Sequence, residues 1–280
     1  PRALLALVIG GLLAVSGVAM QGLFRNPLAD PGLIGVSGGA ALGAAVVIVL
    51  FSREESVFLP VQVQPYILSA AAFLGGICAT WVVYRIGRYR SRTHVGVMLL
   101  AGIALTTLAG ALIGLLTYIS DAAALRSLIF WNLGSLSGAG YTEIWPLLLV
   151  ACAVGVILFF HADALNALLL GESEASHLGF RVERLKRNLM LCTALGVGAA
   201  VAVVGMIGFI GLMVPHLMRF FSGPNHRVLL PSAALGGGIL LLTADLASCL
   251  LIAPAELPVG LITTLLGAPF FLYLLIRGNT

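Results

Sequence analysis

Residues 3–32, ALLALVIGGLLAVSGVAMQGLFRNPLADPG, decide what kind of chain this is. From residue 3 to residue 23 there is no charged side chain. As a helix that length matches the roughly 20 residues needed to cross a hydrocarbon core. A secretory leader would have a charged start and a small-residue cleavage site after its apolar run. Here the run ends instead in RNPLADPG, where two prolines, an asparagine and an aspartate build a rigid corner. The segment reads as a membrane span followed by a tight turn.

Working outward, the same pattern recurs at 33–51, 65–87, 95–118, 144–162, 188–206, 208–221, 229–251 and 258–276. The seventh of these nine runs is short for a crossing. The chain is 60% hydrophobic and 9% charged, which lies outside the soluble globular class. Backbone groups in lipid must pair internally, so the spans are helices. Alternating segments of about ten residues, the mark of a membrane β-barrel, do not occur. The expectation is an all-α polytopic membrane protein with about nine transmembrane helices in one transmembrane domain over residues 1–280.

Orientation follows from the basic residues. Twelve of the fifteen fall on one side of this topology: Arg25, Arg85, Arg88, Arg90, Arg92, Arg181, Arg184, Lys186, Arg187, Arg219, Arg227 and Arg277. Arg2, Arg53 and Arg126 fall on the other. The positive-inside rule makes the first side cytoplasmic, with residue 1 outside and the C-terminus inside. A chain beginning outside at Pro1-Arg2 leads to the expectation of one further span upstream.

Glycines are concentrated in the spans. Gly35, Gly39 and Gly43 are spaced by four, as are Gly110 and Gly114, giving smooth faces for close helix packing. Gly205, Gly208 and Gly211 followed by Pro215 predict an irregular start or a kink in the seventh span. Irregular backbone at membrane depth is tolerated where protein buries it or a cavity is lined.

Little in the chain suggests catalysis. Ion-coupled carriers place ionisable groups near the midplane, and only Asp245 lies clearly inside a span, near its outer end. His94, His161, His177, His216 and His226 form no HxxxH pair and read as interfacial or packing residues. Cys78, Cys152, Cys192 and Cys249 lack metal or redox spacing and read as small buried thiols, so no metal site is expected. No GxxxxGK[ST] loop is present, so active transport would draw its energy from a partner or an ion. The net charge of +4 is spread over membrane-flanking loops and does not point to nucleic acid.

Three polar segments stand out. Residues 171–188, GESEASHLGFRVERLKRN, carry seven of the twenty-six charged side chains between two apolar runs, on the cytoplasmic side. That is a handle for a soluble partner. Arg85 to His94 sets four arginines beside Thr93 and His94, at a position suited to lipid headgroups. On the outer side, Ser120 to Tyr141 is long enough for a short helix and loop capping a vestibule, and Trp131, Tyr141 and Trp145 suit an aromatic belt.

SGVAMQGLFRNPLADPGLIGVSGGAALGA, GFIGLMVPHLMRF, HRVLLPSAALGGG and AELPVGLITTLLGAPFFLYLL, in that order, resemble the FecCD-type permeases of type II ATP-binding-cassette importers. The likeness runs from Pro1 to Arg277. It implies ten helices per permease, the first preceding the Pro-Arg dipeptide. It also implies an assembly of two permease copies, two cytoplasmic ATPases that hold ATP and Mg, and one periplasmic substrate-binding protein, in the bacterial inner membrane.

By the family's motifs, coupling to the ATPase falls to Gly171, Glu172, Ala175, Leu178 and Gly179 (the GExxAxxLG pattern) within coupling helices at 164–187. The cytoplasmic gate falls to Asn26 and to Thr93, His94 and Val95. Binding-protein docking falls to Arg2. A second docking arginine, shortly after the family's Ala-Asp dipeptide, is Cys249 here, which leaves Arg53 and Arg126 as substitutes. The resemblance implies import by alternating access with no catalytic residue and no cofactor in this chain. WNLGSLSG at 131–138 is most like the haem-type permeases, so haem is the expected cargo, with siderophores or cobalamin as alternatives in the same family. An ion-coupled secondary carrier is the rival from outside it.

Overall fold

Helix α1 (Arg2–Phe24) is the axis of the molecule, buried on nearly every side along its length. Glycine makes this possible. A β-carbon added at Gly10 would overlap the carbonyl oxygen of Gly237, and one added at Gly17 would overlap that of Gly211. α1 therefore meets its neighbours backbone to backbone, the packing mode that replaces the hydrophobic effect within lipid. The computed structural model describes residues 1–51, 64–89, 92–138 and 140–277.

Around α1 stand α2 (Val36–Phe51), α3 (Gln64–Gly87), α4 (Val95–Ile119), α5 (Ala122–Leu133), α6 (Tyr141–Phe160), α7 (Ala162–Leu170), α8 (Glu172–His177), α9 (Val182–Val204), α10 (Ile210–Ser222), α11 (His226–Leu250) and α12 (Val259–Arg277). α11, α9, α10 and α6 pack directly on α1, and α2 pairs with α3 and α4. Gly39 and Gly43 of α2 abut the backbone of α3 at Gly75 and Ala71, as their spacing predicts. Gly110 and Gly114 of α4 do not pack: open space surrounds the place where each β-carbon would sit. Their smooth face is exposed, so it serves nothing within this chain.

Each of the nine expected spans contains a helix, and six of them are long and apolar enough to cross a membrane. The seventh, α10, is short because the chain is non-helical from Gly205 to Gly208 and Phe209 adopts a left-handed conformation (φ 66°). That is the irregular start foreseen from the glycines. The break packs on the turn after α5: Ser135 N–H donates to Val204 C=O at 2.8 Å. β-Carbons at Gly205 and Gly134, both at positive φ, would collide with the carbonyls of Trp131 and Met206.

Two expectations require correction. The helical reading missed a two-residue antiparallel ladder, β1 (Arg88–Tyr89) with β2 (Arg92–Thr93), in which Arg88 opposes Thr93. Of the four cysteines only Cys192 is buried, while Cys78 and Cys152 are exposed. Apolar surroundings in this protein include lipid as well as core, and hydropathy does not separate the two.

Candidate coupling and gating site

The polar handle at 171–188 is the short helix α8 followed by the start of α9, with α8 set by two glycines. Gly171, between α7 and α8, has φ 134°, and Gly179, just after α8, has φ 88°. Side chains rarely adopt either geometry, which gives both glycines of the GExxAxxLG pattern a backbone reason. Between them Ala175 is fully buried and Leu178 is 61% exposed. Residues 164–187 thus comprise most of α7, all of α8 and the first six residues of α9.

α7 is braced against the start of α11. Asp163 pairs with Arg227 (Oδ1···Nε 2.6 Å), and Asn166 donates to Asn225 and accepts from the backbone N–H of His226. The guanidinium holds the exposed Asp163 carboxyl below its ordinary range. At the junction of α6 and α7, His161 sits within 3.2 Å of the Asn188 side-chain amide on α9.

α8 is tied to the membrane part by a single buried cation. Lys186, on the second turn of α9, is 1% exposed. Its Nζ donates to Glu172 Oε2 of α8 at 2.7 Å, to the Thr93 carbonyl at 2.9 Å and to Glu183 Oε1 at 3.4 Å. Glu183 closes the ring, its Oε2 accepting from Thr93 Oγ1 at 2.6 Å. An ammonium has three N–H donors and here finds three acceptors, the condition for holding a charge out of water. The network joins Glu172 of the expected coupling segment to Thr93 of the expected gate. Neither end alone pointed to Lys186. The available signal was that it is the only lysine in a chain with fourteen arginines.

The other gate candidates lie apart. Asn26 is exposed and accepts the Leu28 N–H at 2.9 Å, forming a turn after the left-handed Arg25 that ends α1. His94 is the exposed N-terminal cap residue of α4 and Val95 its first helical residue. No hydrogen bond joins Asn26 to Thr93, His94 or Val95 among the described residues. The Asn26 turn reaches α4 further along, where the Leu33 carbonyl fills the space a side chain at Gly102 would need.

Between the turn, α4 and the break before α10 lies a cavity of about 420 Å3, lined by Asp30, Gly102, Thr106, Thr107, Gly208 and Phe209 among others. Small and apolar groups dominate its wall, and the unwound backbone faces it. Asp30 caps the 3-10 turn Pro31–Ile34 by accepting from Gly32 N–H at 2.7 Å. Burial pushes its carboxyl above the usual range, with the Gly32 N–H opposing.

At the end of the molecule opposite α8, expected to face outward, Arg2 is held by Asp245 (Nε···Oδ2 2.8 Å) and by Glu256 (Nη1···Oε2 2.8 Å). Arg126 stands exposed on α5, and Arg53 lies outside the described residues. Asp121 caps α5, accepting from Ala124 N–H at 2.8 Å. α5 roofs a second cavity of about 400 Å3 that reaches Tyr66, Ser127, Trp131 and Glu143. Tyr141 and Trp145 are exposed at this level as a belt would be, whereas Trp131 is half-buried in the vestibule wall. Among the described residues no cluster of three His, Cys, Asp or Glu is placed to hold a metal.

The fold is a helical membrane domain with a broken helix beside a cavity and a short polar helix bonded through Lys186 to Thr93. The chain matches the FecCD transport family over residues 1–277 and belongs to that family. It is 49% identical to the hemin transport system permease protein of Yersinia pestis, over 99% of this chain and 81% of the relative. It is 43% identical to the vitamin B12 import system permease protein of Vibrio cholerae, over 100% of this chain and 81% of the relative. A solved inward-facing ABC transporter described as of the metal-chelate type superposes with a TM-score of 0.89 at 34% identity, over 99% of this chain and 85% of that one. PsaBC from Streptococcus pneumoniae shares the fold, with a TM-score of 0.61 at 18% identity over 97% of this chain and 89% of that one. The chain is therefore an ABC importer permease, a multi-pass protein of the inner membrane.

Proposed function

We propose that this permease imports haem, working as a homodimer with two ATPase subunits and a periplasmic binding protein, and that α8 drives the gate through Lys186. The observation that carries the mechanism is the Lys186 network, in which one ammonium bonds both Glu172 of α8 and the Thr93 carbonyl. A displacement of α8 by an ATPase closing on ATP is transmitted to the base of α4 without passing through a flexible loop. Gly171 and Gly179 set the geometry of α8, Ala175 seats it, and exposed Leu178 offers the ATPase an apolar contact. Asn26, Thr93, His94 and Val95 form the moving rim, below a cavity whose small and apolar wall suits a bulky planar cargo.

Haem is favoured over cobalamin by the higher identity to a hemin permease than to vitamin B12 permeases. An ion-coupled carrier is disfavoured because Asp245, the acid within a span, is neutralised by Arg2. At the outer face we assign binding-protein docking to Arg2, Arg53 and Arg126, with Arg126 the described member of the three whose guanidinium has no acidic partner. The dimer contact is assigned to the open glycine face of α4.

The cargo is tested by purifying the cognate binding protein and recording its absorption spectrum. A Soret band on adding haem, and haem uptake by the reconstituted complex, are the expected results. A corrinoid spectrum with cobalamin-stimulated ATPase activity would replace haem with cobalamin and leave the coupling mechanism standing.

A further inference from the structure

Between α3 and α9, at their cytoplasmic ends, lies a groove of about 310 Å3 that the transport mechanism does not use. Its upper wall is apolar, with Leu191 more than half exposed, and its lower rim carries Trp81, Tyr84, Arg85, Arg88 and Arg187. The Arg85 guanidinium stacks over the Trp81 ring at 5.4 Å, which holds the charge at the groove's mouth. Arg85, Arg88 and Arg187 are all exposed, and among the described residues none has an acidic partner. On this face Lys186 and Arg227 are paired with carboxylates; Arg25, Arg92, Arg181 and Arg184 are exposed as the groove arginines are, but do not line the groove. Three cations left unpaired around an apolar slot at headgroup depth call for a ligand with an anionic head and a hydrocarbon tail.

We propose that this groove is a binding site for an anionic glycerophospholipid, its phosphate held by Arg85, Arg88 and Arg187 and its acyl chain laid against Leu191. A soluble phosphate compound fits the rim but leaves the apolar wall bare. The site adjoins the gate: Arg88 lies opposite Thr93 in the β1–β2 ladder, and Thr93 is the residue bonded by Lys186. A bound headgroup therefore steadies the strand that carries the gate segment.

The test uses the full permease in nanodiscs, with Trp131 and Trp145 replaced by Phe so that Trp81 reports alone. Quenching by brominated phosphatidylglycerol is compared with quenching by brominated phosphatidylcholine. The expected result is a clear preference for phosphatidylglycerol that weakens about five-fold per arginine removed in Arg85→Gln, Arg88→Gln and Arg187→Gln. It should be unchanged in the single-charge controls Arg181→Gln and Arg184→Gln. Equal quenching by the two lipids, or an equal loss of preference in the controls, overturns the site. Displacement of the lipid by millimolar inorganic phosphate makes it a soluble-anion site and also overturns the proposal. Loss of the preference on assembly with the ATPase does the same, by making the groove a protein interface.

Discussion

Lys186 offers three N–H donors on a flexible stem, and its acceptors come from three directions: α8, the gate segment and its own helix. An arginine at the same place keeps the charge but presents a planar fork that does not match such a tripod. Lys186→Arg is therefore expected to uncouple the assembled transporter, with ATP hydrolysis persisting while uptake falls. Loss of the hydrogen bonds to a charged group is worth about 2 kcal/mol, or roughly 30-fold in occupancy of the joint. Uptake equal to wild type in Lys186→Arg and in Lys186→Met would sink the coupling role. Asp30 gives a test with the opposite sign. Its folded carboxyl titrates above the unfolded one, so ionisation costs stability as pH rises through that interval. Asp30→Asn keeps an oxygen for the Gly32 N–H and removes that cost. The variant's melting temperature should exceed wild type at neutral pH, and the gap should close below the ordinary carboxylate range, toward pH of about 3, where both states are protonated. A gap independent of pH would refute this reading of Asp30.

At the scale of elements, helix α8 is only six residues long, and its shape depends on glycines at both ends. Glu172→Lys places a second cation against Lys186, and Leu178→Trp enlarges the exposed apolar contact. Both are expected to leave the permease folded, as judged by its elution profile, while separating ATPase activity from uptake. Unchanged uptake in both would remove α8 from the coupling path. The α1 interfaces make a harder demand. An alanine at Gly17 would drive a methyl group into the Gly211 carbonyl, and overpacking of this kind costs about 1–3 kcal/mol. Gly17→Ala should lower the melting temperature in detergent, whereas Gly179→Ala, with open space around it, should act only through its strained backbone.

For the whole molecule, α4 presents a long apolar face, with Gly110 and Gly114 open and Leu108, Leu112 and Leu115 exposed. Two copies meeting along these helices would bury both glycine faces at a shared axis beside the cavity. Leu at both Gly110 and Gly114 should shift the permease from dimer to monomer by native mass spectrometry. A dimer that survives this double substitution would place the contact elsewhere.

Much of this was legible from residues alone. The helix within each of the nine apolar runs and the break before α10 follow from hydropathy and glycine–proline chemistry, which act over a few neighbouring residues. The β1–β2 ladder, the exposure of Cys78 and Cys152, and the openness of Gly110 and Gly114 were not legible. Lipid-facing and core-facing positions have the same composition, so only packing tells them apart. The site divides in the same way. Motif spacing marked Glu172 and Thr93 separately, 79 positions apart in the chain. Their junction at Lys186 depends on the start of α9 lying against β2, a relation between distant segments that only the tertiary structure decides.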